Sequence, residues 1–363
     1  MAAILFNEYT FLLWWIALMA VAAWFVPVTT TINVLGQKEK RVNLLFAVVV
    51  FFPVFRLAAY GPMIGDVWGY VNSYKEITAT LRDVGRLMKE HESGYGFEIF
   101  ETLLHSLFGN NTTAYRVSLA LIQSIPIVLI MRRYSENYLL SVFLFVAGTY
   151  HIAWMMNGLR QFVAVVIIFS AFPLLLKKRY IPMILIILLA TTIHTSAIVM
   201  LPVIFIVQGK MWNWRTIVSI LAAVAAAFAF NRRIELFDVL VENTEYENAV
   251  SYWVAMGDDG ANPIRVLVSA IPMILGLVGR NHLPQENPVV NVCVNMSVIT
   301  TGINLVAMVT SGVMVGRLPV YTSLYSLILY PVLIRHVFTE SSQRIITVLL
   351  IGFYLAWYFY SMR

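Results

Sequence analysis

The run "MMNGLRQFVAVVIIF" (155–169) sets an arginine and a glutamine, Arg160 and Gln161, at the mouth of a long apolar stretch. A charge at the edge of a hydrocarbon-spanning helix is costly without a partner or a task, and ionisable residues at membrane depth mark substrate paths by default. A guanidinium keeps its charge and grips phosphate in a two-pronged fork, so the chemistry to expect is anion binding. Arg317 in "SGVMVGRLPVYTSLYSLILY" and Arg116 in "NNTTAYRVSLALIQ" lie in similar settings, and Arg56 joins them near an outer lip. Several arginines converging on one cavity suit a pyrophosphate. Snorkelling to lipid headgroups, or pairing with an acid, competes for each of them.

Proton-handling groups come next. The chain has six histidines. His194, between "LLATTI" and "TSAIVML", falls at an outer turn between two apolar helices, where broken helices usually line a site. A neutral imidazole there takes a proton from a sugar hydroxyl, or it makes a helix-to-helix hydrogen bond. Asp66 in "IGDVWGYVNSY" is followed by Tyr70 and Tyr74 at helical spacing. A carboxylate beside aromatic rings grips sugars, and an interfacial aromatic belt explains the same residues. Glu98, Glu101 and His105 share a helix face in "EIFETLLH". That pattern fits a divalent metal, and equally an amphipathic helix lying on a membrane. Asp258 and Asp259 in "GDDGANP" read as a turn.

These residues need elements to hold them. Hydrophobic residues make up 60% of the 363 and charged residues 12%. Apolar runs recur along the whole length, which implies an all-α polytopic integral membrane protein, a single membrane domain over 1–363. About twelve spans are expected (range 10–13), near 11–31, 43–60, 114–131, 138–156, 161–176, 181–193, 195–208, 216–230, 266–279, 289–309, 318–334 and 345–360. The first reads as a retained helix, not a cleaved signal. One cysteine, Cys293, rules out an internal disulfide.

Charge sets the orientation. With the N-terminus outside and a break at His194, the inner loops hold 13 of the 25 Lys/Arg and 4 of the 19 Asp/Glu, a net +9 inside against −3 outside. The basic balance is thus a topology signal and asks for no nucleic acid. Two long polar segments, 61–113 and 231–265, fall outside; both have helical periodicity and read as ordered loops that carry function. There is no P-loop, no Gly-rich dinucleotide turn and no G-x-S-x-G.

The order and spacing of these residues resemble a family. "NGLRQFVAVVIIFSAFPLLLKKRYIPMILIILLATTIHTSAIVMLPV" is similar to the central signature of the EpsG family of Wzy-type bacterial polysaccharide polymerases: an R-Q pair opening a helix, a basic turn, and a helix ending in His. "GDVWGYVNSY" resembles its outer-loop D-x-x-x-Y segment. "GYGFEIFETLLHSLF" resembles the stretch with an acid before an apolar run, which falls on Glu98. "VGRLPVYTSLYSLILYPVL" looks like the late R-x-x-x-Y helix, Arg317 to Tyr321. The likeness covers roughly 40–340.

The resemblance implies a C-type glycosyltransferase-like (GT-C-like) fold in the bacterial cytoplasmic membrane. A growing glycan on undecaprenyl pyrophosphate is transferred, on the outer face, to a lipid-linked repeat unit. Arg160, Gln161 and Arg317 are then expected to bind the donor pyrophosphate, with Arg116 and Arg56 as helpers. Asp66 or His194 is the base, Asp66 being preferred, and Tyr70, Tyr74, Glu98 and Tyr321 contact substrate. No cofactor is required, with a divalent metal left open. A chain-length regulator and a flippase are the protein partners to expect. The rivals are a lipid-linked oligosaccharide flippase and another membrane glycosyl- or acyltransferase.

Overall fold

The computed structural model describes residues 2–63, 65–90, 94–230, 257 and 260–361. Most of the expected outer segment 231–265, with Asp258 and Asp259, lies outside them. The chain divides into two compact units, Met1–Ile198 with Ser341–Arg363, and Val199–Glu340.

The first unit opens with α1 (Ala2–Phe25) and then departs from the all-α expectation. Strands β1 (Thr29–Val34) and β2 (Gln37–Val42) form an antiparallel hairpin with Ile32 opposite Glu39 and Thr30 opposite Arg41. The β-branched run "TTTINV" favours a pleated ribbon over a helix end. The two residues between the strands, Leu35 and Gly36, both have positive φ (52° and 92°), the signature of a type I′ turn. Residues 29–31 therefore belong to a strand, and "QKEKR" to its partner. Arg132 Nε donates to Val42 O at 2.9 Å and Arg133 Nη2 to Asn33 O at 3.1 Å, tying the hairpin to the helix that carries both arginines.

Helices α2 (Leu44–Tyr60), α6 (Thr112–Tyr134), α9 (Leu159–Ser170) and α11 (Tyr180–Ile193) pack in sequence, α2 on α6, α6 on α9 and α9 on α11. Gln161, Phe162, Val163 and Phe169 of α9 are buried. Between α2 and α6 run the shorter α3 (Asp66–Lys75), α4 (Val84–Glu90) and α5 (Tyr95–Phe108). Both α3 and α5 pack on α6, and α5 also packs on α11. The 138–156 run is two helices, α7 (Tyr138–Ala147) and α8 (Tyr150–Met156), bent by 68°. After α10 (Phe172–Leu176) and α11, His194 is extended (φ −149°, ψ 117°) and ends α11. The expected break at His194 is therefore present. A 3-10 turn (Thr195–Val199) follows. The last helix, here α17 (Glu340–Ser361), closes the unit.

The second unit contains α12 (Met200–Ile206), α13 (Trp214–Phe230), α14 (Pro263–Val278), α15 (Pro288–Val309) and α16 (Val320–Val337). Central to it is α15, packed on α13, α14 and α16. Its buried Asn295 donates to Val207 O at 2.9 Å and accepts from Trp212 N–H at 2.9 Å, pinning the turn before α13. Thr300 donates to Thr322 across to α16 at 2.8 Å. Satisfied hydrogen bonds of this kind join helices in a lipid setting, where apolar contact alone gives little preference.

Five described helical stretches are long and apolar enough to cross a membrane, or six if the bent α7–α8 pair is one span; six further apolar helices have 10–17 residues. Each of the twelve expected runs contains helix. The outward faces of α1 and α17 carry Trp14, Trp24, Val348 and Leu349, all well exposed. An apolar cover of this extent belongs in lipid, so the chain is a predominantly helical membrane protein.

Candidate functional site

The site is built in the first unit around the turn before α9. Asn157 and Gly158 of "NGLRQ" face Gly65 and Asp66 of "GDVWGY". Asp66 Oδ2 accepts the Gly158 N–H at 2.9 Å, and Asn157 Oδ1 accepts the Asp66 N–H at 3.3 Å. Each segment thereby satisfies a backbone donor at the start of the other's helix, the orphan groups every helix N-terminus carries. Gly65 permits this approach: a Cβ there would lie 1.8 Å from Asn157 Oδ1. The two motifs, far apart in sequence, fix each other and so fix where α9 begins.

Two residues on, Arg160 reaches α5. Its guanidinium carbon lies 5.8 Å from the centroid of Phe97, a cation–π distance. Its Nη2 approaches the backbone of Gly94, where a Cβ would be only 1.9 Å away and φ is +78°. Only glycine accepts both the left-handed backbone and the contact. Arg160 Nε is buried and makes no hydrogen bond among the described residues. The cation is thus held by a ring and a glycine, and no carboxylate lies within ion-pair distance of it among the described residues. Tyr70 stands edge-on to Phe97 at 5.7 Å. Burial raises its hydroxyl pKa, while the charge and the backbone N–H of Arg160 pull it the other way.

One turn beyond Phe97 is Glu101, only 8% exposed. Its Oε1 accepts the Tyr115 hydroxyl at 2.5 Å. Burial lifts its carboxyl to about 7, and Glu98 adds to the rise; the Tyr115 hydrogen bond and the Arg160 charge oppose it. Behind Tyr115 lies Tyr74, stacked on it at 4.2 Å.

On the other flank, Gln161 is buried and donates to Ser196 Oγ at 3.3 Å. Ser196 Oγ lies 2.8 Å from His194 Nδ1. The break after α11 therefore brings His194 to the second residue of the R-Q pair through one serine. Asp66, Tyr70, Arg160, Gln161 and His194 are joined by these contacts within one unit.

Other expected residues fall elsewhere. Tyr74 is fully buried, donates to Gly109 O at 3.0 Å and packs against Tyr115 and His105. Arg116 Nη2 donates to Gly61 O at 2.7 Å and Ala58 O at 3.3 Å, capping the carbonyl end of α2 where a cation is favoured. Arg56 lies 3.8 Å from Glu8, with both side chains partly exposed. Glu98 is half-buried on the first turn of α5. Of Glu98, Glu101 and His105, Glu101 bonds to Tyr115, and His105 Nε2 is 2.8 Å from Asn110 Oδ1. No group of three or more His, Cys, Asp or Glu among the described residues is arranged to hold a metal. Arg317, exposed, ends a 3-10 turn in the second unit, with Tyr321 buried at the start of α16.

Also in the first unit, an apolar cavity of about 690 Å³ opens between α1, α7 and α17, lined by residues such as Leu13, Ala17, Leu140, Phe143, Ile351 and Leu355.

Sequence reasoning placed Glu101 only in a metal-type group with Glu98 and His105 and missed its burial beside Phe97. The signal was present: it follows Phe97 by four residues and so shares its face. Nothing in the sequence says that Glu101, and not Glu98, is the buried carboxyl of the two.

An arginine seated on an aromatic ring, with a buried carboxyl nearby, thus stands among the helices of a membrane protein. The EpsG family model matches residues 43–363, and the chain belongs to the EpsG family, membrane proteins of polysaccharide biosynthesis. No curated protein and no solved structure matches the chain.

Proposed function

We propose that this chain is a polysaccharide polymerase of the bacterial cytoplasmic membrane, a GT-C-like enzyme with about twelve spans and its site on the outer face. It transfers a glycan from undecaprenyl pyrophosphate to the sugar end of a second lipid-linked repeat unit. The observation that carries this reading is the seat of Arg160. A guanidinium packed on Phe97 and Gly94, with its Nε buried and unbonded among the described residues, keeps hydrogen-bonding capacity for an incoming anion. A pyrophosphate leaving group gathers charge as the glycosidic bond breaks, and a preorganised cation stabilises that charge without reorganising.

Gln161 and Tyr70 border the same cation. Asp66 holds the turn that positions it, and His194 approaches through Ser196. The apolar cavity beside α1 and α17 suits a prenyl chain. Arg317, with Tyr321, is the second cation the family likeness points to, tested on its own by Arg317→Ala. A chain-length regulator and a flippase would work beside the enzyme, and no nucleotide enters the reaction.

The test is reconstitution. The purified chain in liposomes receives a lipid-pyrophosphate-linked repeat unit from the native host, with no nucleotide sugar. A glycan ladder on a gel is expected. Movement of the lipid-linked unit across the bilayer without a ladder would replace the polymerase by a flippase.

A further inference from the structure

We propose that Glu101 is the general base of the transfer: Tyr115 fixes one carboxyl oxygen, and the other takes the proton of the acceptor hydroxyl. The proposal rests on the polymerase reading and names a residue for the step that reading leaves open.

The geometry has three parts. Glu101 is anchored at one oxygen only: Oε1 takes the Tyr115 hydroxyl at 2.5 Å, while Oε2 takes no hydrogen bond among the described residues. The anchor is itself fixed. Tyr115 is fully buried and stacked on Tyr74 at 4.2 Å, and Tyr74 is held by Gly109 O at 3.0 Å and by the edge of His105 at 5.5 Å. A base so supported is preorganised in the way a productive site needs. Finally, Glu101 lies one turn from Phe97, which seats Arg160, so base and leaving-group cation are positioned by the same helix face.

The competing carboxylate is differently placed. Asp66 is exposed and uses its carboxylate on the Gly158 N–H, which suits a residue that positions the turn.

In the step, the acceptor O–H bond breaks and its proton passes to Glu101 Oε2. The freed electron pair forms the new bond to the anomeric carbon of the donor. The bond from that carbon to the phosphate oxygen breaks, and its electrons leave on the lipid pyrophosphate beside Arg160. Protonated Glu101 then returns its proton to water. A base whose pKa is near the working pH combines availability with driving force, and burial supplies that tuning here, bringing Glu101 to about 7.

The titratable groups facing it are Glu98 and His105 on α5, Arg160 from α9, Tyr115 from α6, and Tyr70 and Tyr74 from α3. The 81–90 segment packs on α5 with Arg82, Arg86 and Lys89 exposed, Asp83 being paired to Arg86 at 3.4 Å.

The experiment measures ladder growth against pH in liposomes, using the lipid-pyrophosphate-linked repeat unit purified from the native host. Wild type, Glu101→Gln and Tyr115→Phe are compared. We expect the wild-type rate to fall as pH drops through about 7. Glu101→Gln should lose about 10²–10⁴-fold in turnover with KM for the donor little changed. Tyr115→Phe removes a bond that holds the carboxyl down, so its acid limb should move to higher pH. Wild-type turnover by Glu101→Gln would overturn the assignment and leave the polymerase intact. If Glu101→Gln does not fold, an unmoved acid limb in Tyr115→Phe overturns it instead. No ladder from wild type removes both readings together.

Discussion

The Asp66 carboxylate accepts the backbone N–H of Gly158 at 2.9 Å, joining two segments 92 residues apart. With the return bond from Asp66 N–H to Asn157, this contact sets the start of α9 and hence the position of Arg160. On the proposed mechanism Asp66 is a positioning residue. Asp66→Asn keeps an acceptor oxygen and should retain turnover within about tenfold, whereas a lost base costs about 10²–10⁴-fold. Asp66→Ala should destabilise by about 1 kcal/mol and raise KM more than it lowers kcat. Thermal melts and ladder kinetics of the two variants check this; an inactive, well-folded Asp66→Asn would restore Asp66 as the base.

Gly94 is the second support. A methyl group there meets Arg160 Nη2 at 1.9 Å in a backbone with φ of +78°. Gly94→Ala should cost about 1 kcal/mol through the left-handed backbone and dislodge the guanidinium from Phe97. Its ladder rate should fall toward that of an Arg160 variant. An unchanged rate in Gly94→Ala would mean that the seat of Arg160 has no bearing on turnover.

Glu101 makes stability depend on pH. Its carboxyl rises from 4.5 in the free side chain to about 7 in the fold, so the folded chain binds that proton more tightly than the unfolded one. The associated stability is complete below about 4.5 and is lost as pH rises through about 7. Glu101→Gln mimics the protonated form. It should therefore melt higher than wild type at pH 8, by up to the order of 3 kcal/mol, with the gap closing toward pH 5. Thermal melts at both pH values read this directly. A functional group held at a cost to stability is a familiar trade, and an equal gap at both pH values would show that Glu101 does not titrate in the fold.

Tyr74 separates packing from sugar contact. Tyr74→Phe keeps the stack on Tyr115 and loses the bond to Gly109 O, a cost of about 1 kcal/mol, with activity per folded molecule retained. Tyr74→Ala removes a buried ring and should cost about 3–5 kcal/mol. Denaturation curves paired with ladder rates distinguish this from a sugar-binding tyrosine, for which KM would respond to both changes.

The apolar runs were legible because burial in lipid demands continuous hydrophobicity, and the R-Q pair was legible because a charge there is costly. The hairpin at 29–42 was not. "QKEKR" reads as a charged loop, and a β-branched run beside a long apolar helix reads as its end. Likewise, Glu98 and Glu101 are equivalent by type. What separates them is Tyr115, fourteen residues on, whose hydroxyl meets only one of the two. Tyr74 and Asp66 were placed by residue type in an outer loop, and the partners that their side chains meet, on Gly109 and Gly158, are backbone groups that no side-chain pattern encodes.

The most direct measurement is the ladder rate of Arg160→Ala against Arg160→Lys and wild type, at matched protein levels in liposomes with the native lipid-linked repeat unit. Our account predicts that the alanine variant loses about 10²–10³-fold. Lysine, a point charge without the planar fork, should recover only part of it. Turnover by a well-folded Arg160→Ala at near the wild-type rate would contradict the account.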